Sequence, residues 1–92
     1  MKKVINGKVY DTNTATRVAE YWNGKPYNDL GYVVEDLYRK RSGEYFLYGE
    51  GGPATIYGRT VDEGIRCGTW QIKPLTEIEA KTWGKERRVE YV

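Results

Sequence analysis

The dipeptide Asn6-Gly7 places the tightest constraint on how this chain can fold. It separates two short stretches of β-prone residues, Lys3-Val4-Ile5 and Lys8-Val9-Tyr10. A two-residue type I′ turn needs positive φ at both central positions, and Asn-Gly tolerates that better than other pairs. The sequence therefore predicts a β-hairpin from about residue 3 to residue 10.

A second, longer hairpin is predicted between residues 32 and 50. Both of its strands are rich in Tyr, Phe and Val, which suit a pleated and half-buried surface. Gly43, which follows Ser42, supplies the left-handed residue of the turn between them. The glycine-rich run Gly49-Glu50-Gly51-Gly52-Pro53 is expected to break the sheet after the returning strand.

Two further strands are predicted from side-chain alternation. In the first, from residue 16 to residue 22, one side carries Thr16, Val18, Glu20 and Trp22, and the other carries Arg17, Ala19 and Tyr21. A short helix beginning at Thr14 is the competing interpretation, because the apolar residues of this stretch also fit a helical stripe. The second strand runs from residue 66 to residue 73, and Pro74 is expected to end it.

A helix is predicted after that strand. Thr76 and Glu79 have the spacing of a capping box, in which the threonine hydroxyl accepts from the third helical amide and the glutamate accepts from the Thr76 amide. The helix should run from residue 77 to about residue 83, with Gly84 as its stop. Ala80 and Trp83 are candidates to face the sheet.

The predicted fold class is therefore α+β: a small antiparallel β-sheet built from two hairpins, with one short C-terminal helix. Residues 1–92 are expected to form a single domain, because a chain of this length supports one small core. Residues 85–92 are expected to form a frayed tail, with an added strand over residues 88–92 as the alternative.

Composition excludes several classes of function. The chain carries 15 basic and 13 acidic residues, a net charge of +2, so it lacks the strongly basic character of a non-specific nucleic-acid binder and is not an acidic mimic of DNA. Its opening residues hold no apolar run typical of a signal peptide, and no stretch approaches the roughly 20 apolar residues of a membrane span. A single cysteine allows no internal disulfide, so we expect a cytoplasmic protein with no membrane partner.

Side chains for catalysis are scarce. The chain has no histidine, its only serine lies in a predicted turn, and its one cysteine, Cys67, is expected to be a small, half-buried side chain. Metal sites built from His and Cys are excluded by count, and the glycine-rich run lacks the spacing of a phosphate-binding loop. A carboxylate-only Mg²⁺ or Ca²⁺ site stays open, although the acidic residues lack the loop spacing of a calcium site. Apart from that alternative, we expect no cofactor, no metal and no enzymatic activity.

Carboxylates near the second hairpin leave one enzymatic alternative open. Glu35, Asp36, Glu44 and Glu50 could in principle supply the paired acids of a glycosidase. A chain of this size leaves little volume for the cleft that such an enzyme needs. Charges along strand edges also discourage edge pairing, which is a simpler reason for their presence.

The most suggestive cluster for binding is the basic and aromatic end of the second hairpin. Tyrosines lie on both strands there, and Tyr and Arg are enriched as anchors of protein interfaces. The same residues could contact phosphates and stack on bases, or simply form a solvated hairpin tip. The candidate contact residues are Tyr38, Arg39, Lys40, Arg41, Tyr45 and Tyr48.

Several stretches of the chain carry a family resemblance. They are Lys3-Val4-Ile5-Asn6-Gly7-Lys8-Val9-Tyr10-Asp11-Thr12 with Thr14-Ala15, Glu35-Asp36-Leu37-Tyr38-Arg39-Lys40-Arg41, the run from Gly43 to Pro53, and a last group of Ile72, Pro74-Leu75-Thr76, Glu79-Ala80 and Trp83. In this order the chain resembles a family of short, mostly uncharacterised proteins carried by bacterial phages, plasmids and conjugative elements. The resemblance implies an accessory role on mobile DNA, where small proteins often block host defence machinery, as anti-CRISPR and antirestriction proteins do.

The leading hypothesis is a non-enzymatic binding protein of a mobile genetic element that inhibits host defence, in the manner of an anti-CRISPR, by masking a protein surface. Its partner would be a host protein or a protein–nucleic-acid complex. The sequence also allows a homodimer through an exposed strand edge. The alternative is a nucleic-acid-binding accessory or regulatory protein. Its phosphate contacts would be Arg39, Lys40, Arg41, Arg87 and Arg88.

Overall fold

The computed structural model describes residues 1–89, and within them seven strands and one helix make up the fold. The elements are β1 (Lys2–Ile5), β2 (Lys8–Asp11), β3 (Thr16–Trp22), β4 (Val33–Arg39), β5 (Tyr45–Gly51), β6 (Gly58–Asp62), β7 (Ile65–Leu75) and α1 (Glu77–Arg87). β1 and β2 form a two-stranded sheet, and the other strands form a five-stranded sheet in the order β3-β4-β5-β7-β6. The predicted α+β class, with antiparallel pairing and a C-terminal helix, is confirmed.

Both predicted hairpin turns are confirmed. Asn6 and Gly7 have positive φ angles of 51° and 78°, which allow the tight connection from β1 to β2. Gly43 has a φ of 91° in the turn between β4 and β5. The first hairpin does not extend the large sheet, however, and forms a separate two-stranded sheet.

Residues 16–22 form a strand and not the competing helix, but their alternation differs from the prediction. β3 pairs with β4, and the register shifts between Arg17 and Ala19. This β-bulge places Arg17 on the same face of the sheet as Glu20 and Trp22, while Ala19 and Tyr21 lie on the other face. The predicted grouping of side chains was wrong because a bulge interrupts the two-residue period on which it was based.

The glycine-rich run leaves the sheet later than predicted. Gly49 and Gly51 belong to β5, the central strand, where they pair with both β4 and β7. A Cβ on Gly49 would overlap the Tyr57 ring, and a Cβ on Gly51 would crowd Thr55. The glycines therefore allow the segment before β6 to lie directly on the sheet.

Pro74 also lies inside a strand, although it was expected to end one. β7 continues to Leu75, and Pro74 is opposite Phe46 on β5. β6 pairs only with the beginning of β7, from Ile65 to Gly68, so β7 has a free edge at Pro74. A proline is tolerated at an edge because the missing amide removes no bond to a second neighbour.

The predicted capping box of α1 is confirmed, but the helix ends later than expected. The Thr76 hydroxyl accepts from the Glu79 amide at 3.1 Å, and the Glu79 carboxylate accepts from the Thr76 amide at 2.9 Å. Gly84 does not stop the helix; it is buried within it, and Arg88 forms the left-handed cap with a φ of 54°. Residues 85–87, predicted as the start of a frayed tail, belong to the helix instead. Residues 90–92 of the predicted tail or added strand lie outside the described residues.

Each face of the five-stranded sheet is covered by a different element. On one face, here called the helix face, Ala80 and Trp83 of α1 pack against Ala19, Leu37 and Leu47. On the opposite face, here called the hairpin face, a second buried cluster joins the β1–β2 hairpin to the sheet. Its members are Tyr10, Phe46, Tyr48 and Ile72.

Candidate binding surfaces

The basic residues predicted as contacts lie at the β4–β5 turn, and two of them are free for a partner. Arg39 and Arg41 are exposed, and within residues 1–89 neither guanidinium has a carboxylate partner. Lys40 is half-buried, with its ammonium 4.5 Å from the centre of the Tyr10 ring and 3.4 Å from Glu44. Lys40 therefore attaches the turn to the first hairpin.

The three predicted contact tyrosines are mostly used for packing, and they lie on two different faces. Tyr38 stacks on Phe46 with ring centres 5.2 Å apart, and Tyr48 is buried, both on the hairpin face. Tyr45 packs against the cluster under the helix, and Arg39 lies over its ring. The six predicted residues thus do not form one continuous surface.

The β4–β5 turn is held against the first hairpin by an ion pair. Glu44 accepts from Lys8 at 2.8 Å and from Ser42 at 3.0 Å. These bonds, with the Lys40 ammonium nearby, lower the pKa of Glu44 to about 2. Glu44 therefore neutralises part of the positive charge at the tip, which leaves Arg39 and Arg41 as its exposed cations.

Glu35 forms the most buried polar cluster of the described chain. Its side chain is 1% exposed on the helix face, and its Oε1 accepts from Arg87 at 2.7 Å and from Trp83 at 3.0 Å. Its Oε2 accepts from the Tyr57 hydroxyl. Burial by itself would raise the pKa of Glu35, but the bonds from Arg87, Tyr57 and Trp83 outweigh it and lower that pKa.

This arrangement suits a structural role for Glu35 better than an acid–base role. Both of its oxygens are occupied by protein donors, and the lowered pKa holds the carboxylate in its charged form. The bonds join β4 to α1 and to the segment before β6. Arg87, one of the residues assigned to phosphate contact by the nucleic-acid hypothesis, is committed to this internal pair.

A groove runs along the helix face beside this cluster. It has a volume of about 520 Å³, and its floor includes Leu47 and Lys73. Ile56 on one wall is 78% exposed, and Ile78 of α1 on the other wall is 77% exposed. The groove is therefore one apolar region that the fold leaves open.

A second open region lies on the hairpin face, at the end of the sheet away from the β4–β5 turn. Trp22 and Trp70 stand in one row across the sheet, with Val34 and Glu50 between them. Tyr27 and Leu30, from the loop after β3, line a shallow cavity of about 430 Å³ together with Trp70 and Glu50. We call Trp22, Tyr27, Leu30 and Trp70 the aromatic surface.

The three aromatic members of this surface, Trp22, Tyr27 and Trp70, are held by contacts within the protein although they are exposed. Trp22 donates from its indole to the Lys25 carbonyl at 2.6 Å, and Trp70 stacks on Tyr48 with ring centres 6.1 Å apart. Tyr27 contacts Tyr32 with ring centres 5.1 Å apart. Tyr27 is nevertheless 80% exposed and Trp22 is 60% exposed.

Carboxylates accompany this aromatic surface. Asp36 lies directly opposite Glu20 on β3, and Glu50 projects from the same face two residues after Tyr48. Burial raises the pKa of Asp36, and the nearby charges of Glu20 and Glu50 raise it further against the opposing effect of Arg17. Glu50 accepts from the Tyr48 hydroxyl at 3.3 Å.

The aromatic surface was not predicted from the sequence. Two of its members are tryptophans on strands, where a large apolar residue is normally assigned to the core. The only local signal was that Trp22 follows Glu20 at a spacing of two, so that a charged residue shares its face. The part of the hairpin face that stays exposed depends on where the first hairpin packs on the sheet. That packing is a long-range contact, which a local sequence pattern does not show.

The predicted half-burial of Cys67 is wrong. Cys67 is exposed on β7 and not half-buried, because β7 begins beyond the area that either covering element reaches.

Among residues 1–89, no group of three or more Cys, Asp or Glu side chains is placed to hold a metal ion. No helix in the same part of the chain is long and apolar enough to span a membrane.

Comparison with known proteins adds no relative. No family model, curated protein or solved structure matches the chain.

Proposed function

We propose that this chain is a non-enzymatic binding protein that docks on a protein partner through the aromatic surface and acts by masking the surface it covers. The observation that carries the proposal is the exposure of Trp22, Tyr27, Leu30 and Trp70 at one end of the sheet. Trp and Tyr dominate the binding energy of protein interfaces, and side chains fixed before binding lose little entropy on docking.

The aromatic surface is a stronger candidate than the predicted tyrosines of the second hairpin. Tyr38, Tyr45 and Tyr48 already pack within the protein, so little of their surface is left for a partner. Arg39 and Arg41 stay candidates for an additional contact at the opposite end of the sheet. The proposal therefore keeps the predicted masking role and adds a new surface for it.

The resemblance to proteins of mobile elements supports a setting for this role. In that setting the partner is a component of host defence, and the bound protein blocks its activity as an anti-CRISPR does. This part of the proposal depends on the sequence alone and is tested separately from the binding surface.

The test is affinity capture from a bacterial host with wild-type protein and with a Trp22→Ser/Trp70→Ser variant. A matched control is Ile56→Ser, which removes a still more exposed apolar side chain from the groove on the other face. A partner retained by the wild type and the control but lost with the tryptophan variant supports the proposal. A partner lost only with the Ile56 variant would place the contact in the groove and contradict it.

The host-defence setting needs its own measurement. The captured partner is purified, and its nuclease activity or its target binding is measured with an equimolar amount of the wild-type protein. Inhibition that reaches completion at one molecule per partner supports stoichiometric masking. An unchanged activity in the saturated complex contradicts the inhibitory role while leaving the binding role in place.

Binding of nucleic acid is the second candidate function, and the exposed pair Arg39 and Arg41 favours it. Neither guanidinium has a carboxylate partner within the described chain, so both are available to phosphates. Affinity for a DNA or RNA duplex should then fall steeply with salt, and Arg39→Gln/Arg41→Gln should reduce the salt dependence. An absence of any complex at low salt removes this candidate.

A further inference from the structure

We propose that the aromatic surface is specific for a basic segment of its partner, in which arginine side chains lie on the exposed aromatic rings and face the carboxylates of Asp36 and Glu50. This inference deepens the proposed function and rests on it, because it names the chemistry of the segment that docks there. It follows from three observations: the carboxylates beside the aromatic rings, the absence of a cation paired with Asp36 or Glu50 among residues 1–89, and the absence there of a group of side chains placed to hold a metal ion.

On this face of β3, β4 and β5, the carboxylates outnumber the cations. Glu20, Asp36 and Glu50 project from the same face of β3, β4 and β5. Arg17 is the cation that opposes them, at 3.4 Å from Glu20, and both of those side chains are more than half exposed. Such an exposed pair contributes little, so Asp36 and Glu50 retain an unbalanced negative charge.

Asp36 is in the least favourable surroundings of the three. It is half-buried, and among residues 1–89 no side-chain or backbone donor bonds to its carboxylate. Burial and the charges of Glu20 and Glu50 raise its pKa. A cation that docks beside Asp36 relieves this repulsion, so the protein gains more from a positive partner here than from a neutral one.

A guanidinium fits this surface better than a metal ion does. Neighbouring strands are about 4.8 Å apart, so carboxylates spread over three strands are too dispersed for one small ion. Consistent with that spacing, no three acidic side chains of residues 1–89 converge on a single point. A guanidinium is large and planar, stacks on Trp and Tyr rings, and can bond to carboxylates beside them.

Other positive groups lie near the aromatic surface, but among residues 1–89 none of them pairs with Asp36 or Glu50. The Lys25 ammonium lies beside Gly31 and Asp29, and Arg66 donates to the Pro53 carbonyl at 3.0 Å. Met1 lines the same cavity, but its ammonium donates to the Thr12 hydroxyl at 2.9 Å. The exposed Arg39 and Arg41 lie at the opposite end of β4 and β5. Asp36 and Glu50 are therefore left without a cation of the described chain, and a basic partner segment is complementary to these two carboxylates.

The test uses the whole protein and a short probe of defined charge. The probe is a peptide of the sequence Gly-Arg-Gly-Arg-Gly with blocked termini, and its control replaces each arginine by citrulline, which has the same shape without charge. Binding is followed by the NMR signals of the three tryptophan indoles. The Trp22 and Trp70 signals should shift with the arginine peptide, and the signal of Trp83, buried on the other face, should not.

A pair of charge variants tests the role of the carboxylates. Asp36→Asn/Glu50→Gln should weaken binding of the arginine peptide by roughly three- to tenfold, the range expected for two partly exposed ion pairs. The matched control is Glu77→Gln/Glu86→Gln, which changes the net charge equally but alters exposed residues of α1. Equal shifts with the citrulline peptide, or equal weakening by the control variant, would overturn the inference.

Two further outcomes separate this inference from the proposed function. If the captured partner is lost with Trp22→Ser/Trp70→Ser but retained with Asp36→Asn/Glu50→Gln, the surface docks a protein and the basic chemistry is wrong. If Mg²⁺ or Ca²⁺ shifts the same indole signals at constant ionic strength and competes with the peptide, the carboxylates form a cation site, and the inference fails.

Discussion

Glu35 determines more of this structure than any other single residue. A carboxylate that is 1% exposed is costly unless its oxygens are bonded and its charge is balanced. Here Arg87 balances the charge, while Trp83 and Tyr57 complete the bonds. One side chain of β4 thereby connects to the helix and to the segment before β6, which are distant in the sequence.

Replacing Glu35 by Gln should destabilise the protein by about 2–3 kcal/mol. The substitution keeps the size of the side chain but leaves the partly buried Arg87 guanidinium without its counter-charge, and removing one member of such a pair is strongly destabilising. Urea unfolding measures the change. Glu86→Gln, which alters an exposed residue of the same helix, should remain within about 0.5 kcal/mol of the wild type.

Glu44 should make stability depend on pH below the ordinary range of a glutamate. Its pKa of about 2 in the folded protein is below the value of 4.5 expected when unfolded. Its contribution is therefore present above pH 4.5 and is lost as the pH falls towards 2. The urea midpoint should fall over this window, and Glu44→Gln should make the fall smaller; an unchanged slope in that variant contradicts the ion pair with Lys8.

Asp36 should have the opposite effect on stability. Its pKa is raised in the folded protein from 3.8, so its contribution is present below that value and is lost as the pH rises. Asp36→Asn should therefore stabilise the protein at pH 7, by about 0.5 kcal/mol, and make no difference near pH 2.5. Thermal unfolding at the two pH values checks this. A variant that is more stable yet binds the arginine peptide less well would show that Asp36 serves binding and not folding.

At the scale of secondary-structure elements, the features that depend on neighbouring residues were predicted correctly from the sequence. The features that depend on contacts between distant parts of the chain were not. The turns at Asn6-Gly7 and Gly43 and the capping box at Thr76 each depend on residues a few positions apart, so the sequence shows them directly. Gly49 and Pro74 were read as breaks because their isolated preferences oppose a strand. Gly49 suits its strand because the Tyr57 ring lies against it, and Pro74 is tolerated because β7 has a free edge there. Both conditions arise only when the chain is folded.

The candidate site was predicted less well for the same physical reason. Alternation along a strand shows which residues share a face, but not which part of that face another element covers. Tyr48 was expected to contact a partner and is covered, while Trp70, which stacks on it, is partly open. The bulge in β3 also altered which residues accompany Trp22.

Gly49→Ala should test how closely the segment before β6 lies on β5. The new methyl group would overlap the Tyr57 ring, and the resulting overpacking should cost about 1–3 kcal/mol. The cost should be smaller in a Tyr57→Ala background, where the ring is absent. Unfolding measurements on the four proteins of this double-mutant cycle give the coupling directly. Equal costs in both backgrounds would show that the contact with Tyr57 is not the cause.

At the scale of the whole molecule, one thin sheet is stabilised by two coverings of different strength. α1 contributes a hydrophobic contact and the Glu35 cluster on one face. The first hairpin depends on Tyr10, whose ring meets Phe46 edge-on with centres 5.5 Å apart, and on the Lys8–Glu44 pair. An isolated two-stranded hairpin is marginal in water, so residues 2–11 should depend on this docking for their order.

Tyr10→Ala should therefore release the hairpin before the sheet unfolds. The substitution removes a side chain that is 5% exposed and uncovers Phe46, so global stability should fall by about 3 kcal/mol. Hydrogen exchange should show fast exchange of the amides that pair β1 with β2, while those between β4 and β5 stay protected. Val9→Ala, which alters the outward face of the same strand, should leave both sets unchanged. Equal loss of protection in both sheets would instead show that the hairpin and the large sheet form one cooperative unit.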